Sequence, residues 1–277
     1  MVVPSDSIVT RSVWSYNLEQ EFELIRSVID SYPIISMDTE FPGVVFHSHS
    51  DFRQPHNNYA VLKANVDCLH LIQVGLTLSD SEGNLPSFES SHHFIWEFNF
   101  REFNLERDPH APDSIALLQR QGINFKKNRI FGVDIMRFVE LLMFSGMVCN
   151  NDVQWITFHG GYDFGYLVKA LSQRFFPMQP MLPSNLSHFL QLVRFFFGGE
   201  VCDVKYLIKF CPNLYGGLDR VCESLHLDRV VGKSHQAGSD SLLTLHIFNK
   251  IKNIYFHQKS HSDIVKYKGV VYGLEEA

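Results

Sequence analysis

The chain has no Cys-x-x-Cys pair, no internal repeat and no low-complexity tract. Its five cysteines, Cys68, Cys149, Cys202, Cys211 and Cys222, are an odd set scattered through 277 residues. That spacing argues against a zinc knuckle or a disulfide framework, so reduced core thiols are expected. Long apolar runs are missing too. The longest weakly charged stretch, residues 175–193, is interrupted by Pro177, Pro180 and Pro183 and cannot span a membrane. The first residues lack the basic-then-apolar pattern of a secretory leader. No membrane association and a reducing compartment, cytoplasm or nucleus, are therefore expected. Positive charge is in deficit, with 24 Lys and Arg against 30 Asp and Glu, a net of −6. A protein that coats nucleic acid would be basic. An enzyme that holds cations is not excluded, because two divalent ions would reduce the deficit to about −2 and put positive charge where a phosphate sits.

What is present is a large apolar inventory: 45% hydrophobic residues, 24 of them Phe, and only 19% charged. This composition predicts a folded chain with a sizeable core. Residues 1–12 read as loosely ordered. A helix is expected from Asn17, with Gln20 as a capping-box partner and an apolar stripe of Leu18, Phe22, Ile25, Val28 and Ile29. A strand follows over 34–41, then a polar solvated loop over 47–58 containing His47, His49 and His56. Two more strands are expected over 69–78 and 93–100, joined through a turn at 79–84. One helix is expected over 113–121, stopping at Gly122. Another carries Ile135, Phe138, Val139, Leu142 and Met143 and stops at Gly146. A fourth strand over 154–159 feeds a helix over 162–174, and further helices are expected over 186–197, 205–210, 218–226 and 237–252. Strands early and helices late predict a single α/β domain spanning 1–277, with its core at about 15–255. Its mixed central β-sheet would be flanked by helices: an antiparallel meander, then a strand delivered by a helical crossover.

The acids are the chemically informative residues. In a strand, side chains two apart share a face, so Asp38 and Glu40 point one way and Met37, Thr39 and Phe41 the other. Adjacent carboxylates repel unless a cation cancels their charge or water solvates them. Magnesium, which takes one or two carboxylates plus substrate phosphates, is one solution; a solvated strand face is the other. Asp163 falls in the first turn of a helix, behind Gly160-Gly161, where it either complements the helix dipole or meets a ligand. Asp240 opens the last long helix, and His235 stands five residues before it on a Gly-containing loop. Asp203, just before the helix at Val204, reads as an N-cap rather than a further ligand.

Together these residues form the order Asp, Glu, Asp, His, Asp. That order, with a histidine five before the last aspartate, matches the DEDDh pattern of the DnaQ-like or RNase D-like 3′→5′ exonucleases. The surrounding words are more specific. Met37-Asp38-Thr39-Glu40-Phe41-Pro42-Gly43, the run 158–167 and the run 235–244 closely resemble the Caf/Pop-type poly(A) deadenylases, the nuclease subunit of the Ccr–Not complex, plant members especially. Residues 65–67, 72–76, 140–143 and 203–207 extend the likeness over about 15–255.

The resemblance implies an RNase H-like fold and removal of 3′ adenosines from mRNA tails as 5′-AMP. It implies two divalent metal ions, Mg2+ or Mn2+, which could stabilise the attacking and leaving oxygens of an in-line displacement. Carried over by position, Asp38, Glu40, Asp163 and Asp240 would be the metal ligands, Asp38 bridging, and His235 the general base. A histidine near its reference pKa of about 6.5 suits that task. Implied partners are single-stranded poly(A) RNA, the large Not scaffold protein and a second deadenylase bearing leucine-rich repeats. Leu142 and Met143 are candidates for the scaffold contact, or for ordinary core. Phe41 is a candidate to flank the terminal nucleotide, and Lys205 and Lys209, on one helical face, to meet phosphates or simply water.

The chain departs from the family wording at three places. Gly160 stands where serine is usual, Phe196-Phe197-Gly198-Gly199 lacks a common proline, and Gly232-Lys233-Ser234 precedes His235 where Gly-Pro is common. The last makes that run more flexible on paper. Two other functions fit the sequence: a DNA-directed 3′ exonuclease of the same superfamily, and an adaptor whose catalysis is dispensable. A complete set of clustered acids favours the enzyme.

Overall fold

A computed structural model describes residues 7–47, 54–175, 181–256 and 262–275. The elements run β1 (Ile8–Val13), α1 (Leu18–Val28), β2 (Ile34–Glu40), α2 (Pro55–Cys68), β3 (Gln73–Ser79) and β4 (His93–Asn99). Then come α3 (Pro112–Arg120), α4 (Phe125–Phe131), α5 (Ile135–Met143), β5 (Gln154–Thr157) and α6 (Gly161–Phe175). The chain continues with α7 (Leu186–Phe197), β6 (Cys202–Asp203), α8 (Val204–Leu207), α9 (Leu218–Ser224) and α10 (Ala237–Ile251). No helix among the described residues is long and apolar enough to cross a membrane.

The six strands form one sheet in the order β1-β4-β3-β2-β5-β6. The expected meander is there: β2, β3 and β4 pair antiparallel, and β5 joins β2 in parallel after the helical segment. The sheet separates two apolar layers. On β2, Met37 packs with Trp96, Phe98 and helices α1 and α5, whereas Ile34 packs with Leu242, Leu245 and the rest of α10. Odd and even positions of β2 therefore face opposite layers, as strand alternation requires. Pairing of β2 with β5 stops at Ser36↔Ile156, so the two strands part just ahead of Asp38. A gap beyond the carboxyl ends of parallel strands is the usual ligand crevice of an open α/β sheet.

Several sequence expectations need correction. Residues 8–12 are not loose but form most of β1, which pairs in parallel with β4; residues 1–6 lie outside the described residues. The supposed loop over 47–58 ends early, because Pro55 starts α2, a helix the sequence pattern did not suggest. His49 lies outside the described residues. Asn17 does precede α1, but it forms no capping bond. Its Oδ1 accepts instead from Trp14 N at 2.8 Å, so the capping box with Gln20 is not made. The helix α4 was also unforeseen. Asp203, by contrast, caps α8 through Lys205 N at 3.0 Å.

Helix α10 sits unusually low on the sheet, and Gly75 permits it. A β-carbon at Gly75 would overlap the carbonyl of Ala237. Gly75 is the direct cross-strand partner of Asp38. The same glycine thus brings the start of α10, and Asp240 one turn in, up to the acidic strand. Replacing Gly75 with Ala should lift that end of α10 and destabilise the fold by about 1–3 kcal/mol, with a larger loss of any activity that needs Asp240. Urea unfolding checks the first part; an unchanged midpoint would mean the close approach is not needed.

Candidate active site

Asp38, Glu40, Phe41, His235 and Asp240 line one cleft of about 300 Å³, with Ser114, Leu117 and Leu118 of α3 on its far wall. Asp38 and Glu40 face the α10 layer, where Asp240 opens the helix. Asp163 reaches the same spot from the other layer, at the start of α6. Thr39, pointing opposite to its two acidic neighbours, donates from Oγ1 to Asp163 Oδ1 at 2.6 Å. The end of β2 thus meets one acid on each side.

The electrostatics are those of crowded carboxylates. Burial is the largest cause at each. It raises Asp38 well above the usual carboxylate range, with the charges of Asp240, Asp163 and Glu40 adding to it. Glu40 is raised likewise by burial and then by Asp240 and Asp163. Asp163 is raised from 3.8 to about 7 by burial, against the Thr39 hydrogen bond that lowers it. Asp240 is raised by burial, with Arg229 opposing.

One ligand atom from each of Glu40, His235 and Asp240 lies within 4.8 Å of the others, a grouping able to hold a cation. Oxygen-rich and anionic, the donor set fits magnesium or manganese. The fit is incomplete in one respect. Asp163 is turned toward Thr39, and Asp38 is not in that tightest group, so these two join the cage through charge and proximity rather than through convergent atoms. Arg229 Nη1 lies 2.5 Å from Asp240 Oδ1.

The run before His235 is tied down rather than loose. Lys233 N donates to Gln236 Oε1 at 2.9 Å, and Ser234 Oγ to Asp219 Oδ2 at 2.8 Å. Arg229 Nη2 bonds Asp219 Oδ1 at 2.7 Å, and His235 N donates to Asp240 Oδ2 at 2.9 Å. His235 itself is held with φ 59°, in the left-handed region, and its Nδ1 lies 4.0 Å from Glu40 Oε1. A second anchored turn precedes α6. Buried Asp203 accepts from the backbone of His159 at 2.8 Å, Gly160 at 3.0 Å and Tyr272 at 2.9 Å, in addition to its cap. At Gly160 a β-carbon would overlap Thr157 Oγ1 and lie 2.7 Å from Thr157 Cβ.

The remaining candidates separate. Phe41 stacks on Tyr162, with ring centroids 4.8 Å apart, and still borders the cleft. Lys205 and Lys209 do not line the cleft. Lys205 Nζ donates to Gly216 O and Lys209 Nζ to Glu275 Oε1 at 2.5 Å, and both lie near the Tyr272 ring. Both side chains make intramolecular contacts away from the cleft. Leu142 is 0% exposed and belongs to the core, so it offers no surface to a scaffold; Met143 is half-buried.

Sequence reasoning missed Arg229, Thr39 and Glu97. Glu97 is half-buried, accepts from Gly238 N at 3.3 Å and adds to the charge felt by Glu40. Its signal was available: it shares a strand face with Ile95, an acid on an apolar face.

Comparison with known proteins follows the same lines. A family model described as CAF1 family ribonuclease matches residues 13–139. The probable CCR4-associated factor 1 homolog 10 of Arabidopsis thaliana is 51% identical over 270 residues, 97% of this chain and 93% of that protein. Poly(A) ribonuclease pop2 of Schizosaccharomyces pombe is 46% identical over 247 residues, 89% of this chain and 70% of its own length. The structure of S. pombe Pop2p in its Mg2+ and Mn2+ bound form matches with TM-score 0.85 and 45% identity, covering 96% of this chain and 99% of that one. A chain in the structure of yeast NOT1 MIF4G domain co-crystallized with CAF1 matches with TM-score 0.80 and 32% identity, over 98% and 100% of the two chains.

The raised carboxyls have a pH signature. A site acid such as Asp163, raised from 3.8 to about 7, contributes stability that is present below its unfolded value and lost as pH rises through the folded one. A bound cation takes over from the lost protons. Melting-temperature increases on adding Mn2+ should therefore be larger at about pH 8 than at about pH 5. Asp163→Asn should stabilise the metal-free protein at about pH 8 by on the order of 1–3 kcal/mol and shrink the Mn2+ shift. Equal Mn2+ shifts at both pH values would show that these acids are not the ligands.

Proposed function

Because the chain belongs to the CAF1 family of ribonucleases, we propose that it is a poly(A)-specific 3′→5′ exoribonuclease that shortens mRNA tails and releases 5′-AMP. The observation that carries this is the meeting of Asp38, Glu40, Asp163 and Asp240 at one end of β2, with His235 on the rim of the same cleft. Four acids at that density have no use in a scaffold and a clear one in metal-assisted phosphodiester hydrolysis.

When bound, two divalent ions supply positive charge to the attacking and leaving oxygens of the phosphate. The chain's own groups do the rest. Asp38, Glu40, Asp163 and Asp240 would hold the ions, Asp38 lying where the charges of the other three acids all reach it. His235 takes the proton from the attacking water; the anchored loop that carries it sets its reach, and its backbone tie to Asp240 couples base and ligand. Phe41, held from behind by Tyr162 and Tyr166, offers an aromatic edge against which the last base can rest. A cleft of about 300 Å³ admits a strand end.

The same membership supports docking on the large Not scaffold, since a relative's structure pairs CAF1 with the NOT1 MIF4G domain. Met143, beside the exposed Phe144, is the part of α5 still available for that contact. A leucine-rich-repeat deadenylase as second partner, and action in cytoplasm and nucleus, complete the reading. Of the cysteines, Cys202, Cys211 and Cys222 are core thiols, whereas Cys68 and Cys149 are exposed.

The test is a 5′-labelled RNA ending in adenosines. Stepwise 3′ shortening is expected with Mg2+ or Mn2+, none with chelator and none for Asp38→Ala. His235→Ala should keep metal binding and lose about 10²–10⁴ in rate. Persistent cleavage by Asp38→Ala would sink the mechanism, and equal digestion of the deoxy-oligonucleotide would move the substrate to DNA.

A further inference from the structure

Residues 114–133 depart from the acidic balance of the chain: they contain Arg120, Lys126, Lys127 and Arg129 and no Asp or Glu, in a protein of net charge −6. The segment covers most of α3 and all of α4, and the four cations are exposed. Among the described residues none of them enters an ion pair, whereas Arg101, Arg137 and Arg229 all do. Three of them are nevertheless positioned. Arg129 Nη1 donates to Arg101 O at 2.6 Å, Arg120 Nε to Ala116 O at 3.3 Å, and Lys127 Nζ lies 3.9 Å from the Trp14 ring centre. Such bonds hold a side chain without cancelling its charge.

Beside these cations runs a groove of about 560 Å³, whose lining includes Asn104, Gln119, Asn124, Lys126 and Arg129 and a single acid, Glu106. It shares a wall with the catalytic cleft. Ser114, Leu117 and Leu118 of α3 face the cleft, and Gln119 and Gly122 face the groove. Gln236, next to His235, donates to Gln121 O at 2.8 Å, and its Nε2 would lie 3.7 Å from a β-carbon at Gly122. The opposite rim, where Leu218 begins α9, carries Asp219 and Glu223. That rim also carries exposed Arg220, so its charges are mixed, whereas residues 114–133 of the α3 side carry cations without an acid.

We propose that this groove carries the single strand upstream of the nucleotide in the cleft, with backbone phosphates on the lining Lys126 and Arg129 and on Arg120 of the adjoining α3. The proposal rests on the deadenylase reading above and adds a path for the tail. A cationic groove that tracks the backbone is how single strands are held without sequence readout.

Equilibrium binding tests it, by fluorescence anisotropy in an Asp38→Ala background that prevents turnover. The probes are a trinucleotide of adenosine and an oligo(A) of about 20 nucleotides, longer than the roughly 4–16 that an OB-fold groove covers. Arg120→Glu with Lys126→Glu should weaken binding of the long probe by about tenfold or more. It should also reduce the salt slope of log K by about 1.4, at about 0.7 for each phosphate no longer neutralised. The trinucleotide should change far less. The charge-keeping pair Arg120→Lys with Lys126→Arg should restore long-probe binding. Unchanged long-probe affinity would overturn the groove, and if the pair instead lost affinity for poly-glutamate, the patch would belong to an acidic protein. Equal losses on both probes would overturn it as well, since the effect would then lie in the cleft. Failure of the unmutated chain to shorten oligo(A) would sink the deadenylase reading itself, a distinguishable result.

Discussion

Like charges that cannot separate govern this molecule. Asp38 and Glu40 are fixed two residues apart on a strand, and Asp163 and Asp240 are held beside them by helices that are largely buried. None can retreat without dismantling packing, so the repulsion is answered by protons or cations. The Arg229–Asp240 contact and the Thr39–Asp163 bond are partial answers supplied by the chain. Arg229 also eases Asp38 slightly, but burial and the neighbouring acids still outweigh it at Asp38, and Glu40 has no such relief. The remaining deficit is what makes the site a receptor for divalent ions.

The frame that bears this strain is the middle of the sheet. β2 pairs along its whole length with β3, but with β5 only as far as Ser36. Stiffness on one flank and a gap on the other put the acids at an edge that is both rigid and open. Asp203 then fixes the turn that launches α6, and Asp219 with Arg229 fixes the loop that carries His235. The two glycine-containing turns are thus clamped by acids that are not themselves ligands, buried Asp203 and exposed Asp219.

Much of this was legible in the residues, and the misses have causes. The period-2 pattern of β2 and the apolar stripes of α1, α5 and α7 depend on local spacing, which sequence displays. β1 was missed because Thr10, Arg11 and Ser12 dilute its apolar character and its partner β4 lies far along the chain. α2 was missed because Asn57, Asn58 and Asn65 read as turn residues, although Asn65 is buried and bonds the backbone of Val45 and Phe46. The acids were identifiable from their neighbouring words. Thr39 and Arg229 were not, since each acts on a partner brought close only by the completed fold, 124 positions away for Thr39 and Asp163.

The turn at Gly160 carries an evolutionary consequence. Thr157 is buried, its Oγ1 has no hydrogen-bond partner among the described residues, and its β-carbon lies where a larger residue at 160 would have to go. A rotamer change moves the hydroxyl but not that carbon. A side chain can therefore enter position 160 only after position 157 has become smaller or the turn has shifted. The two sites are epistatic: the order of substitution decides whether an intermediate folds, and the glycine found here is locked in by its threonine.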